Sequence, residues 1–382
     1  MMPPFADLRT ITGLSVTLSQ GYDPTVYHPG DPWQRPYNYP PIWKITARLG
    51  VTPKHTFVLG ILVISFFLIG LYLLFKDLSF TETAFVMIGL VSPAVLLGVE
   101  RANLDLFIFF LIALAVWLVS KSLIGSALVI QIAYVLKLYP LFGLTVLLRG
   151  KQKMACFLIA IVLGISVLYF LSDYRELIST FRNTPKSHNL SYGANVIPTR
   201  IKHSTYSDYG PIAFILTNLA AVVILMIGTI SGSKDDLSSN YRVENYLDAF
   251  RSGSAIYIGT FFLGNNFDYR LIFLLLTIPQ LVWWWQAASW KLRLGARITG
   301  LALYFSLYHR LILRGVESLL PADFPGSYAR ALAFLPDEIA NWTLLAGLIF
   351  LLSASLPRGL FEFGNWCSKQ FPFRYNETRR NS

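Results

Sequence analysis

Residues 56–75 read TFVLGILVISFFLIGLYLLF, 20 consecutive positions without a charge. At about 1.5 Å per residue such a run makes a helix about 30 Å long, the thickness of a bilayer's hydrocarbon core. Similar apolar runs occupy 82–99, 104–120, 154–171, 211–230, 271–288, 297–314 and 338–356. A shorter run, 248–264, carries Arg251 near its start, and 122–148 is interrupted by Lys137-Leu-Tyr-Pro140. Across the 382 residues, 54% are hydrophobic and only 14% charged. Soluble domains carry about 25% charged residues, so too few polar groups remain here to coat one apolar core. Disorder and a disulfide scaffold are excluded by the same composition, which contains 2 Cys. The reading is an all-α, polytopic transmembrane bundle.

Charge clusters set the orientation. Arg149, Lys151 and Lys153 form one basic group, Lys291, Arg293 and Arg297 a second, and Arg358 with the tail arginines a third. Placing all three in the cytoplasm satisfies the positive-inside rule. The run 122–148 then enters and leaves on the inner side, with Lys137 to Pro140 turning near the outer face. The count is about 11 spans. The expected organisation is an outer segment 1–55, a helical domain 56–356 with an outer loop 172–210, and a basic cytoplasmic tail 357–382. The net charge of +11 is read as cytoplasmic retention beside anionic lipid, with no nucleic-acid partner.

The polar islands between the spans hold the candidate chemistry. Segment 7–43 contains Gly21-Tyr-Asp-Pro24, Pro29-Gly-Asp-Pro-Trp33 and Asn38-Tyr-Pro-Pro-Ile-Trp43. It is either an interfacial loop anchored by aromatics or a platform for sugar rings. Glu100-Arg-Ala-Asn-Leu-Asp105 sits between two spans. Asp105 falls at the first turn of the next helix, where the helix dipole favours an anion, and a functional or a structural role fits equally. Lys137 either snorkels to the interface or holds a lipid phosphate beside the Pro140 break. Arg270 is a second candidate phosphate contact, with Asp268 either pairing with it or orienting it. Phosphate loops, His-Glu-x-x-His and Gly-x-Ser-x-Gly are absent from the sequence, so nucleotide-driven pumping and zinc or serine hydrolysis lack support.

Five motifs in this order resemble glycosyltransferase family 87, within the C-type superfamily that uses polyprenyl-phosphate sugars. They are Asp7-Leu-Arg9 ahead of Gly21-Tyr-Asp-Pro24, Asn38-Tyr-Pro-Pro-Ile-Trp43, Glu100-Arg-Ala-Asn-Leu-Asp105, Lys137-Leu-Tyr-Pro140 and Asn266-Phe-Asp-Tyr-Arg270. The resemblance covers most of residues 5–290. It implies an inverting hexosyltransferase, with mannose the expected sugar, acting on a glycan or glycolipid acceptor at the outer face of a bacterial plasma membrane. Asp7 stands at the family's catalytic-base position, with Asp105 the next candidate. Lys137, Arg101, Arg270 and Tyr139 would hold the donor phosphate, and Arg9, Asn38, Tyr39, Trp43, Asn103, Asn195 and Asp268 the substrates. No cofactor and no metal are expected, the polyprenyl-phosphate sugar being itself a substrate. Because the family pattern carries a transmembrane helix before the base, a further span is expected upstream of Met1.

Two other classes compete. A transporter or flippase for an anionic lipid-linked sugar would use the same cations, but its usual paired broken helices are reduced here to one strong break. A noncatalytic relative of the enzyme is the other. Sugar transfer by the purified protein separates the enzyme from both.

Overall fold

A computed structural model describes residues 3–187, 190–204, 206–235, 237, 240–286, 289–320 and 326–357. The expected tail beyond 357 lies outside the described residues. The described residues are mostly helical, with irregular stretches such as 20–40 between the helices and one antiparallel pair of two-residue strands that sets Ser191 opposite Phe267 and Tyr192 opposite Asn266. Among the described residues, the 10 apolar runs, the broken one counting as two segments, fall mainly on helical structure. Among the described residues, four helices are long and apolar enough to cross a membrane: Pro53–Phe75, Gln152–Ser172, Ser207–Gly232 and Phe334–Ser355. Phe80–Leu90 and Pro93–Glu100, bent by 59° at their junction, add a fifth if taken as one span. Pro93 supplies no N–H, and Ser92 caps the second half by accepting from Val95 N at 3.5 Å.

The interrupted run behaves as its sequence implies. Helix Leu123–Leu136 stops where Lys137 turns extended, and the chain resumes as a 3-10 helix, Tyr139–Arg149. A second 3-10 helix, Asp268–Thr277, follows the strand pair. Runs of this kind rarely exceed four residues and often mark functional segments. Both pack against Glu244–Leu263, where two glycines let them approach. A Cβ on Gly253 would stand 2.7 Å from Phe273 O, and one on Gly259 would meet the Phe142 ring at 2.3 Å. At the end of Tyr139–Arg149 remote from Lys137, Arg149 pairs with Glu244 at 2.6 Å and Asp248 at 3.1 Å.

Two structures appear where sequence reading placed loops. The N-terminal segment folds into short helices Ala6–Thr12 and Leu14–Ser19. They are clasped by the 28–39 stretch, and Gly13 and Gly30 touch so closely that a Cβ on Gly13 would lie 2.2 Å from Gly30 O. Asp31 accepts from Thr10 Oγ1 at 2.6 Å, and His28 Nε2 lies 2.8 Å from Thr10 O. The 172–210 loop contains two helices, Tyr174–Asn183 and Val196–Lys202.

Candidate active site

Short helix, bent span, broken helix and strand turn each deliver one charged group to a single cavity of about 420 Å³. Asp7 comes from Ala6–Thr12, Arg101 from the end of Pro93–Glu100, Lys137 from the break, and Arg270 from the start of Asp268–Thr277. Arg35 and Asn38 complete the polar lining. Apolar side chains also line it, among them Phe170, Leu177, Ile178, Phe181, Leu263 and Phe267. Pockets of this volume hold small or extended ligands.

Asn103 is the hub of the polar groups. Its Nδ2 donates to Asp7 Oδ2 at 2.7 Å. Its Oδ1 accepts from Lys137 Nζ at 3.2 Å and from the Asp105 backbone N–H at 2.9 Å. Ala102 just before it adopts a left-handed φ of 42°, a strained state of the kind concentrated at functional sites. Asp105 is 1% exposed. It accepts from Lys137, takes a second hydrogen bond from Tyr139 Oη at 2.7 Å, and lies 3.4 Å from Arg270 Nε. Arg270 donates to Asn266 Oδ1 and stacks over the Tyr139 ring at 4.4 Å. Lys137 sits 5.4 Å above the Tyr39 ring.

Asp7 is 6% exposed. Burial pushes its carboxyl above the ordinary range, opposed by the Arg101 guanidinium and the Asn103 hydrogen bond. Its Oδ1 lies 3.8 Å from Arg101 Nη1. Asp31 shows the opposite balance. Burial favours its neutral form, but hydrogen bonds from Arg35 and Thr10 outweigh this and hold it below the usual value. Arg35 forms a fork to Asp31 at 3.0 and 3.1 Å and lies 4.0 Å from the centre of the Trp33 ring.

Of the residues read from the sequence, Asp7, Asn38, Tyr39, Arg101, Lys137, Tyr139 and Arg270 line the cavity. Asn103 and Asp105 stand behind that lining, holding it in place. Four others lie elsewhere. Arg9 Nε reaches back to Pro4 O at 3.3 Å, and Asn195 accepts from Asn218 Nδ2 at 2.9 Å. Trp43 donates its indole N–H to Leu136 O at 3.0 Å, closing the last turn before the Lys137 break. Asp268 faces His309 at 3.4 Å instead of pairing with Arg270.

Arg35 and the apolar lining were not read from the sequence. The lining carried a signal, since Tyr174, Leu177, Ile178 and Phe181 recur at helical spacing inside the supposed loop. That helix is roped to the N-terminal segment. Asn183 Nδ2 donates to Thr25 O at 2.9 Å and Tyr37 O at 3.2 Å, Thr180 Oγ1 donates to Tyr39 O at 3.1 Å, and Lys44 meets Glu176 at 2.7 Å. Among the described residues, no three His, Cys, Asp or Glu side chains converge to hold a metal ion.

A sequence model described as glycosyltransferase family 87 matches residues 37–243, just over half of the chain. No curated protein and no solved structure matches it significantly.

Proposed function

The chain belongs to glycosyltransferase family 87 and is a membrane glycosyltransferase; from that premise we propose that its donor is a polyprenyl-phosphate hexose and that Asp7 is the general base. The observation that carries this reading is one cavity lined both by cationic groups and by apolar side chains. An amphiphilic donor presents the matching pair, a phosphate joined to a hydrocarbon chain.

Charge counting sharpens the proposal. Arg35, Arg101, Lys137 and Arg270 face Asp7, Asp31 and Asp105, which leaves one unit of positive charge when all are ionised. A sugar-phosphate diester carries one negative charge and neutralises the site. After transfer, Asp7 holds the acceptor's proton, and the departing monoester carries close to two negative charges at neutral pH. The count balances again. A diphosphate donor would leave excess negative charge at both stages.

The chemistry is a direct displacement. Asp7 Oδ1, whose neighbouring oxygen is held by Asn103, takes the proton from the acceptor hydroxyl. The acceptor oxygen attacks the anomeric carbon as the bond from that carbon to the phosphate oxygen breaks, and the electron pair leaves with the phosphate. Inversion follows. Lys137 and Arg270 meet the charge as it grows, in a site whose dipoles are already oriented. Asp105 is poorly suited to be the base, because Lys137, Tyr139 and Arg270 already engage its oxygens. Its role is to keep the two cations in place. Asn38, whose side chain lines the cavity, is the amide we assign to the sugar hydroxyls. Mannose is the hexose we propose first, and a glycan or glycolipid at the outer face the acceptor.

The test is transfer by purified protein in proteoliposomes, supplied with radiolabelled polyprenyl-phosphate mannose and an outer-leaflet glycolipid extract. Labelled glycolipid supports the proposal. Transfer from a nucleotide sugar instead would overturn the donor assignment.

A further inference from the structure

Asp268 turns away from the cavity that its neighbours line. Phe267, Tyr269 and Arg270 face the cavity, while the Asp268 carboxylate points at His309, with Oδ2 3.4 Å from Nε2. The other ring nitrogen of His309 lies 3.7 Å from Asp337 Oδ1 and 3.1 Å from Ser306 O. Asp337 in turn accepts from Asn341 Nδ2 at 3.2 Å. Asp268, His309 and Asp337 are all buried. They come from three elements, the 3-10 helix Asp268–Thr277 and the long helices Trp290–Leu319 and Gly326–Ser355. Two carboxylates buried together are costly unless a donor or cation stands between them, and the imidazole occupies that place.

We propose that His309 is a positioning residue for Arg270. The turn bearing Arg270 is gripped on one side by the strand pair and by Asp268 N donating to Leu190 O at 3.2 Å. The Asp268 side chain ties its other side to the two long helices through His309. Two residues further on, Arg270 spans from Asn266 to Asp105. Its guanidinium is thus aimed by a clasp on the far side of the same turn, and His309 touches no cavity surface itself. Substituting His309 leaves Asp268 and Asp337 facing each other's side of the protein without their shared partner. The turn then relaxes and Arg270 loses its register.

The consequence for phosphate binding rests on the function proposed above, so the first measurement does not depend on it. Purified full-length wild type and His309→Gln are treated with phenylglyoxal, and modification of Arg270 and Arg149 is followed by peptide mass spectrometry. Arg270 should react severalfold faster in the variant while Arg149, in its own ion-pair network, is unchanged. Equal Arg270 rates, or both arginines accelerating together, would overturn the proposal. Asp268→Asn, which keeps the side-chain shape, should reproduce the effect and guards against a folding failure at 309.

A double-mutant cycle on binding of undecaprenyl phosphate then reads the coupling. His309→Gln and Arg270→Gln each weaken binding, and the double variant is no weaker than Arg270→Gln alone. Additive losses would show that His309 acts by another route. Wild type that fails to bind undecaprenyl phosphate overturns the donor assignment instead, and the labelling comparison still decides the role of His309.

Discussion

Asn103 donates to Asp7 at 2.7 Å although 96 residues separate them in the chain. The same side chain accepts from Lys137, so one amide joins the proposed base to the proposed phosphate ligand. Its two ends are chemically matched to these tasks, N–H toward the carboxylate and C=O toward the ammonium. Replacing it with Asp would set two carboxylates side by side and break both functions.

Asp7→Asn should lower transfer by about a thousandfold, within the range expected for removing a general base. Undecaprenyl-phosphate affinity should stay within about twofold, because the phosphate cations are untouched. Single-turnover transfer and lipid binding, measured on the same preparation, check both halves. Turnover within an order of magnitude of wild type would move the base elsewhere.

The acidic limb of the pH profile follows from Asp7 burial. A base works only when ionised, and burial raises this carboxyl above its ordinary value. Activity is therefore lost as pH falls through a value above the usual Asp range near about 3.9. Asn103→Leu removes a hydrogen bond that favours the charged form, so the limb should shift to still higher pH. A profile of kcat/KM against pH for both proteins is the measurement.

Lys137 contributes to both stability and binding, and the two can be separated. Lys137→Ala leaves Asp105 buried without its main counter-ion, a change that costs about 3–5 kcal/mol in buried pairs. It should lower the melting temperature and weaken donor binding together. Lys137→Ala combined with Asp105→Asn removes the stranded charge, so the melting temperature should recover while donor affinity does not. Recovery of both would assign Lys137 a purely structural task.

Much of this site was legible in the chain, for identifiable reasons. Lys137 and Asp105 stood out because charges are rare in apolar runs, and Pro140 announced the break through its missing N–H. The linking role of Asn103 was not legible, since nothing local distinguishes an amide that bridges distant segments. The segment holding Trp43 reads either as an aromatic anchor or as a sugar platform, and its indole N–H closes a helix end. Its composition-based reading could not tell a flat face from an N–H donor. Asp268 reads as a substrate contact, but within 265–270 its neighbours line the cavity while Asp268 faces His309. The helix at 174–183 went unread because its flanking polar residues resembled a loop, although its apolar spacing was helical.

That helix offers a further test. Lys44 and Glu176 are both partly exposed, and such pairs contribute about 0–1 kcal/mol. Glu176→Gln should therefore change little in stability or donor KM. Asn183→Ala cuts two hydrogen bonds to the N-terminal segment and should raise donor KM severalfold with kcat nearly constant, as measured by steady-state transfer. Equal effects from the two variants would show that charge, and not the amide, holds this helix.

The two 3-10 helices also fix where the cations stand. At about 2.0 Å of rise per residue, an 11-residue stretch such as Tyr139–Arg149 extends about 22 Å, against about 16 Å for the same residues in an α-helix. Each begins within two residues of a cavity cation, Lys137 in one case and Arg270 in the other. Each is braced along its length by the same glycine-notched helix. The stretched backbone works as a pair of props. Relaxing either one into the wider α-helix would draw its head down by about a turn's height, so the depth of the positive charge is set by the pitch of the chain beneath it.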